Sequence, residues 1–312
     1  MTLARADPSA RTEGLVVACR RRHFQVRLDD GSEVDCVLRG RALAPACGDR
    51  VVVSRVEGGG AIESIEPRRS LVYRSDAFKE KLVAANVTLI CGVIAPGISS
   101  DLELVHRWTV AAEAEGCALV LAANKADLPD FPALLARLAP FAELGYPIVT
   151  LAAKRDAAPL LPWLAGAHTV LVGQSGMGKS TILNALAPDA GAKTGEVSVA
   201  LATGRHTTSH STLHCLPSER GGGWIVDSPG MKAFGLAHVA PDELPRAFVE
   251  IRPFLGHCRF RDCRHASEPG CAVRAAVDTG HIAAHRLALL HTLVAASAAV
   301  RAPGAKAPST RA

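Results

Sequence analysis

The order of two loop motifs constrains the fold of this chain more than any other feature of its sequence. The motif N-K-x-D occupies residues 124–127, and the motif G-x-x-x-x-G-K-[ST] follows it at residues 173–180. A short apolar run, typical of a buried parallel strand, precedes each motif, and a helical pattern follows the second. In this context backbone N–H groups and a helix N-terminus surround a phosphate. The two motifs therefore predict an α/β nucleotide-binding domain.

The first motif has the chemistry to recognise guanine. The Asp127 carboxylate can accept hydrogen bonds from N1–H and the exocyclic amine of guanine, a donor pair that adenine lacks. Asn124 is expected to tie loops together, and the stem of Lys125 to lie over the base; residues 152–154 resemble a further base-contacting loop. In Ras-like GTPases the phosphate loop comes before the base-reading motif. The reverse order predicts a circular permutation, which a compact domain tolerates because its termini often lie close together.

The remaining nucleotide contacts follow from the residue types. Lys179 is predicted to reach the β- and γ-phosphates, and Thr181 to contact the α-phosphate. An apolar run ends at Asp227 in a D-x-x-G pattern, which is typical of the second metal and γ-phosphate segment and includes Gly230. The residues predicted to bind GTP are Asn124, Lys125, Ala126, Asp127, Gly173, Gln174, Ser175, Gly176, Met177, Gly178, Lys179, Ser180, Thr181, Asp227 and Gly230.

A Mg²⁺ ion is expected to accompany GTP. Its predicted ligands are the Ser180 hydroxyl and, through water, the Asp227 carboxylate. Residues 204–209, G-R-H-T-T-S, lie between these two positions and are expected to close over the metal and the γ-phosphate. Either Thr207 or Thr208 can supply the hydroxyl that this closure needs, and Thr208 is preferred.

The predicted catalytic residues are Lys179 and His206. Many Ras-like enzymes place a Gln directly after the D-x-x-G glycine to orient the attacking water, but this chain has Met231 there. A thioether orients water poorly, so slow intrinsic hydrolysis is expected. His206 lies in the segment expected to close over the γ-phosphate, and a bound partner is predicted to position it.

A second motif, C-x4-C-x-H-x5-C, predicts a metal centre. Three thiolates and an imidazole suit tetrahedral Zn²⁺, and a complete set of protein ligands indicates one structural zinc ion. His257 is an alternative ligand to Cys258. The other cysteines are scattered and are predicted to be small buried residues of a reducing cytosol. The predicted zinc ligands are Cys258, Cys263, His265 and Cys271.

Both flanks of the nucleotide region predict additional domains. Residues 13–66 contain five short alternating runs and a hairpin signal at residues 29–31, which together indicate a five-stranded OB-fold barrel. Phe24 is its main candidate for stacking on bases. The predicted domains are an RNA-binding OB-fold at 1–69, the permuted GTPase domain at 70–237, a zinc-binding helical domain at 238–300 and a disordered tail at 301–312.

The charge distribution favours a nucleic-acid partner. The net charge is +5, with basic clusters at residues 20–23 and around the predicted zinc site, although ordinary solvated charge remains an alternative for each cluster. Residues 1–12 lack the apolar stretch of a signal peptide, and residues 282–300 predict a helix that packs on the metal segment rather than a membrane span. We expect a cytoplasmic monomer with no membrane partner.

The ordered set of motifs resembles the circularly permuted ribosome small-subunit biogenesis GTPases, the RsgA/YjeQ family, over residues 13–295. The resemblance implies an OB-fold, a circularly permuted P-loop GTPase domain and a C-terminal zinc-binding helical domain. It also implies binding to the small (30S) ribosomal subunit and its rRNA late in maturation, with GTP hydrolysis to GDP stimulated by that subunit. Two departures are Ser209, where a third Thr is frequent, and Met177, where Val is frequent.

Two other functions are consistent with the sequence. Because Met231 replaces the usual Gln, the protein could be a nucleotide-gated RNA-binding adaptor in which hydrolysis is incidental. It could also be a translation-factor-like GTPase that acts on messenger or transfer RNA. Turnover with and without small subunits separates the first alternative from a GTPase, and crosslinking to RNA separates the second.

Overall fold

The computed structural model describes residues 11–20, 23–39, 43–56, 58–76, 79–97, 102–191, 211–227 and 234–301. Its strands are β1 (Arg11–Arg20), β2 (His23–Leu28), β3 (Glu33–Leu38), β4 (Arg50–Val56), β5 (Gly59–Ile65), β6 (Leu71–Asp76), β7 (Lys79–Ala85), β8 (Leu89–Ile94), β9 (Ala118–Ala123), β10 (Ile148–Thr150), β11 (His168–Val172), β12 (Ser211–Cys215) and β13 (Trp224–Asp227). Its α-helices are α1 (Leu102–Glu115), α2 (Phe131–Glu143), α3 (Leu161–Leu164), α4 (Lys179–Leu186), α5 (Ala272–Asp278) and α6 (Ala284–Arg301).

Strands β1–β5 form a closed barrel, which confirms the predicted OB-like architecture. The strand order is β1-β2-β3-β5-β4, and β4 pairs back with β1. Alternating residues fill the interior, including the fully buried Val16, Val26 and Ile62. The expectation that Phe24 stacks on bases is wrong, because its side chain is only 5% exposed and packs in this interior. The alternation of Phe24, Val26 and Leu28 already places all three on one face of β2.

The GTPase domain is built on a parallel sheet with helices on both faces. Strands β10, β9, β8, β11 and β13 are parallel neighbours in that order, and β12 is antiparallel to β13. Every residue of β8 is buried, as expected for a central parallel strand. Ile90 of β8 packs with Trp108 of α1 on one face, whereas Cys91 packs with Ile182 of α4 on the other.

One continuous sheet joins the barrel to the GTPase domain. Strand β12 pairs with β13 on one side and with β1 on the other, where Ala18 lies opposite Thr212 and Cys19 opposite Ser211. The resulting sheet has 11 strands. Strands β6 and β7 form a separate hairpin after the barrel. The segment between β5 and β6 is anchored to the residue that precedes β4. The Arg68 guanidinium donates to the fully buried Asp49 carboxylate at 2.7 and 2.8 Å.

A buried arginine of the C-terminal region forms an ion pair within that region and hydrogen bonds to α1. Arg286 of α6 is 3% exposed, donates to Glu250, and places its guanidinium 4.6 Å from the centroid of the Phe248 ring. The same guanidinium donates to the His106 carbonyl at 3.2 Å. Burial and then the Arg286 charge lower the pKa of His106 to about 3, so this imidazole is neutral near pH 7. Within the described ranges, no helix has the length and apolar character needed to cross a membrane.

Candidate functional site

The phosphate loop lies between β11 and α4 and depends on glycine. Gly173, Gly176 and Gly178 have φ values of +145°, +82° and +100°, a region that other L-residues rarely adopt. A Cβ atom on Gly173 would lie 2.4 Å from the Val93 carbonyl oxygen at the end of β8. The chain enters α4 at Lys179, so the helix N-terminus faces the space enclosed by the loop. This is the geometry that a phosphate requires.

Asn124 joins the base-reading motif to the phosphate loop. It directly follows β9, is 2% exposed, and donates from Nδ2 to the Met177 carbonyl oxygen at 2.9 Å. Its Oδ1 accepts from the backbone N–H of Ala153 at 3.0 Å. A Cβ on Gly178 would lie 2.2 Å from Nδ2, so only glycine permits this approach. Three loops that are far apart in the chain, including residues 152–154, therefore meet at one buried amide.

The charges of Lys179 and Asp227 influence each other beside the loop. The Lys179 ammonium donates to the carbonyl oxygens of Gly173 at 2.6 Å and Gln174 at 2.9 Å. Burial lowers the pKa of Lys179, and the charge of Asp227 opposes this. Burial also raises the pKa of Asp227, against the effects of Lys179 and His214. A cation and an anion with limited solvation thus lie beside the loop, which suits the binding of a phosphate and its metal.

The other predicted nucleotide residues lie around this centre. Ser180 and Thr181 are partly exposed in the first turn of α4. Lys125 has a left-handed backbone with φ +62°, and Asp127 is exposed beside it. Ser175 and Gly176 are exposed in the phosphate loop, and Ala126 is partly exposed in the base-reading loop. His206, Thr207, Thr208, Gly230 and Met231 lie outside the described residues.

Sequence reasoning missed one anchor of the phosphate loop. The backbone N–H of Ala95, just after β8, donates to the Met177 sulfur at 3.2 Å. Met177 is 4% exposed and is held at both its side chain and its carbonyl. The sequence did offer one indication of this contact, because Met177 stands where Val is frequent and only Met has a side-chain acceptor.

The four predicted zinc ligands converge in the C-terminal region. Their ligand atoms all lie within 4.8 Å of one another, and His265 Nδ1 is 3.5 Å from Cys258 Sγ and 3.4 Å from Cys271 Sγ. His265 is 7% exposed and has a left-handed backbone with φ +61°. Its carbonyl contacts His291 Nε2 of α6 at 3.1 Å. This set of three sulfurs and one nitrogen is well suited to tetrahedral Zn²⁺ and leaves no open position for catalysis.

The metal loop is stabilised by hydrogen bonds between one of its carboxylates and its own backbone N–H groups. Glu268 accepts hydrogen bonds from the N–H groups of Arg264, Ala266 and Ser267 at 2.8 to 3.0 Å. Bonds from backbone N–H groups, that of Arg264 foremost, lower the pKa of this carboxyl to about 2. Cys271 caps α5 by accepting from the N–H of Arg274. The ligands are therefore presented by an ordered turn and a helix start.

The expectation for the other cysteines is partly wrong. None of the nine cysteines, all of which lie in the described residues, forms a disulfide. Cys215 lies exposed on β12 with its sulfur 2.8 Å from the Arg27 guanidinium. Cys19 is partly exposed because it lies at the seam of β1 and β12. The four remaining thiols outside the metal motif are buried as predicted, namely Cys36, Cys47, Cys91 and Cys117.

The fold and these loops define a circularly permuted P-loop GTPase. The family described as RsgA GTPase matches residues 65–237. A protein named small ribosomal subunit biogenesis GTPase RsgA from Nitrosospira multiformis is 44% identical over 293 residues, which cover 93% of this chain and 92% of the relative. The chain belongs to the RsgA GTPase family.

Other relatives agree with this assignment. An equally named protein from Bordetella pertussis is 44% identical over 303 residues, 94% of this chain and 99% of the relative. The crystal structure of YjeQ from Thermotoga maritima has a TM-score of 0.67 and 30% identity, covering 93% of this chain and 99% of that one. A structure titled YloQ, a circularly permuted GTPase, has a TM-score of 0.64, covers 96% and 99% of the two chains, and at 22% identity supports the fold alone.

Replacing Asp127 with Asn is expected to weaken binding of guanine nucleotides by roughly ten- to a hundredfold, because about 1.5–3 kcal/mol of charged hydrogen bonding is lost. Preference should shift toward xanthosine nucleotides, whose additional oxygen can accept from the new amide. Titration of the protein with labelled GDP and XDP measures both effects. Asp130→Asn is the matched control, since its exposed carboxylate makes no capping bond to α2. Unchanged guanine selectivity in Asp127→Asn would refute the base-reading role.

Proposed function

We propose that this protein is a GTPase that acts in the biogenesis of the small ribosomal subunit. In this proposal the GTP-bound protein binds the small subunit and its rRNA late in maturation, and hydrolysis to GDP releases it. The observation that carries the GTPase activity is the buried Asn124, which holds the guanine motif against the phosphate loop. The names of the relatives support the step in ribosome biogenesis.

The described residues support a division of roles around GTP. Asp127 would bind the base, and the loop from Gly173 to Gly178 would surround the β-phosphate with N–H groups. Lys179 would neutralise charge on the β- and γ-phosphates as the γ-phosphoryl group transfers to water. Ser180, Asp227 and Thr208 would hold Mg²⁺, which supplies further neutralisation of the phosphates when it is bound. His206 would orient the attacking water.

The flanking regions would provide the contacts to RNA. The barrel and the metal-binding region both carry arginines, which suit a phosphate backbone. One structural Zn²⁺ at Cys258, Cys263, His265 and Cys271 would stabilise the second of these regions. We propose domain boundaries after residues 69, 237 and 300, which separate the OB-fold, the GTPase domain, the zinc-binding domain and the tail. Apart from Arg301, the tail proposed for residues 301–312 lies outside the described residues.

Addition of purified small subunits is expected to raise the GTP turnover rate of the wild-type protein, whereas His206→Ala should retain the slow basal rate and lose most of the stimulation. The measurement is phosphate release at saturating GTP, with and without subunits. The basal rate of each protein serves as the internal control for folding. Equal stimulation of both proteins would exclude His206 as the partner-positioned residue.

One observation favours a second candidate function. The residue that follows Gly230 is Met231 rather than Gln, which removes a common means of orienting water. A nucleotide-gated RNA-binding adaptor would show the same slow turnover with and without small subunits, while its affinity for the subunit would still depend on GTP. The experiment above distinguishes this candidate, because an adaptor gives a flat rate.

A further inference from the structure

A groove separates the metal loop from helix α6. It has a volume of about 840 Å³, within the roughly 300–1,000 Å³ of typical small-molecule pockets. The apolar part of its lining includes Leu255, Leu290 and Val294, and the metal loop forms the opposite wall. Phe260 lies in that wall and is 42% exposed. An aromatic ring therefore stands partly exposed beside an apolar groove.

One arginine lies against this ring, and others line the same groove. The Arg259 guanidinium carbon lies 5.6 Å from the centroid of the Phe260 ring. Four exposed arginines line the groove together with two carboxylates, so the cationic groups outnumber the anionic ones. Within the part of the chain that the structure describes, none of these arginines forms an ion pair. The arginines are Arg246, Arg259, Arg261 and Arg264, and the carboxylates are Asp242 and Asp262.

We propose that this groove binds one unpaired nucleotide of RNA, with its base stacked on Phe260 and its flanking phosphates on the arginines. The proposal rests on the proposed function, which supplies RNA as the partner. It adds a specific ligand, since a double helix would offer phosphates to the arginines but no free base to the ring and the apolar wall. Stacking on an aromatic ring accepts any base, so the groove selects for an unpaired conformation rather than for a sequence.

The groove has side chains that suit the base and the phosphates of an unpaired nucleotide. A planar base covers apolar and aromatic surface, and arginine can stack on it as well as contact phosphate. The backbone of an unpaired nucleotide places a phosphate on each side of the base, and Arg259 and Arg261, which both line the groove, are the chain neighbours of Phe260. Asp262 can accept from an exocyclic amine of a base. The metal loop holds the ring in place, because it is braced by Glu268 and by His291.

The test uses the full-length, zinc-loaded protein and two fluorescent RNA probes: an eight-nucleotide oligouridine and a duplex of the same length. Phe260→Leu is expected to raise the Kd for the single strand by roughly 5- to 100-fold, and to leave the Kd for the duplex unchanged. Trp163→Leu is the matched control, because this tryptophan is also exposed, at 43%, and lies on α3 away from the groove. Zinc content and the unfolding temperature of each variant establish that it folds.

A photo-crosslink locates the binding site directly. Oligouridine that contains one 4-thiouridine should attach to the peptide that contains Phe260, as read by mass spectrometry after digestion. Three results would each overturn the proposal. They are an unchanged affinity of Phe260→Leu for the single strand, an equal loss of affinity for single strand and duplex, and crosslinks confined to the barrel. Weaker pelleting of Phe260→Leu with small subunits, with oligouridine affinity unchanged, would also overturn it and indicate a protein ligand.

These outcomes separate the groove from the proposed function. If small subunits failed to stimulate wild-type turnover, the proposed function would fail while the oligonucleotide measurements still decided the groove. If Phe260→Leu bound oligouridine as well as wild type does, the groove proposal would fail while stimulation of the wild-type enzyme remained intact.

Discussion

Replacing Lys179 with Ala is expected to lower the rate of GTP hydrolysis by at least roughly 10²–10³-fold, the usual effect of removing one group that stabilises transition-state charge. Lys179 is partly buried within the influence of the Asp227 charge, and its ammonium already donates to two carbonyl oxygens of the phosphate loop, at Gly173 and Gln174. A γ-phosphate placed there would offer it a stronger, charged acceptor. Removal of the side chain leaves that charge uncompensated during phosphoryl transfer.

Single-turnover hydrolysis at saturating GTP separates this effect on chemistry from weaker binding. Lys179→Met keeps most of the apolar stem and should be nearly as slow, because the missing part is the charge. Arg274→Gln removes an exposed cation from α5, outside the nucleotide site, and should retain wild-type turnover. Hydrolysis by Lys179→Ala at the rate of the Arg274→Gln control would mean that residues 173–180 are misassigned.

Replacing Cys263 with Ser is expected to release zinc and to unfold the C-terminal region at a lower temperature. Structural zinc contributes roughly 10–16 kcal/mol of apparent folding free energy to small metal-dependent domains, and a hydroxyl is a poor replacement for a thiolate ligand. The loss should be large here because the metal would join Cys258 and Cys263 to His265 and to the start of α5 at Cys271. Cys258, His265 and Cys271 would remain as an incomplete set of ligands.

Metal content by mass spectrometry and thermal unfolding by calorimetry measure the two parts of this prediction. Cys215→Ser is the matched control, since that thiol is exposed on β12, outside the metal cluster. It should keep full zinc and the wild-type transition. Chelation of the wild-type protein should reproduce the effect of Cys263→Ser. Full zinc occupancy in Cys263→Ser would rule out this cysteine as a ligand.

The parts of the site that depend on local spacing could be predicted from the sequence. Glycines at 173, 176 and 178 meet the demand for positive φ in a loop that turns its N–H groups inward. The three cysteines and His265 could be grouped because they lie within 14 residues of one another. The barrel followed from alternation, and the same alternation places Phe24 inside rather than on the surface, where stacking on bases would require it.

Contacts between distant segments could not be predicted. The partners of Asn124 are a backbone carbonyl and a backbone N–H, which every residue possesses, so no pattern identifies Met177 and Ala153. The ion pair of Arg286 with Glu250 joins positions that both read as ordinary surface charges in the sequence. Their burial depends on how the start of α6 approaches α1 and the segment around Glu250, and local periodicity does not determine that approach.

The shared strand β12 makes the barrel and the GTPase domain a single mechanical body. Its first residue, Ser211, lies two positions after residues 204–209, the segment expected to close over the γ-phosphate, and pairs with Cys19 of β1. Independent rotation of the barrel relative to the GTPase domain would require the hydrogen bonds between β1 and β12 to break. A displacement of β12 would therefore pass to the barrel through β1, and the barrel strands farthest from β12 would be displaced the most.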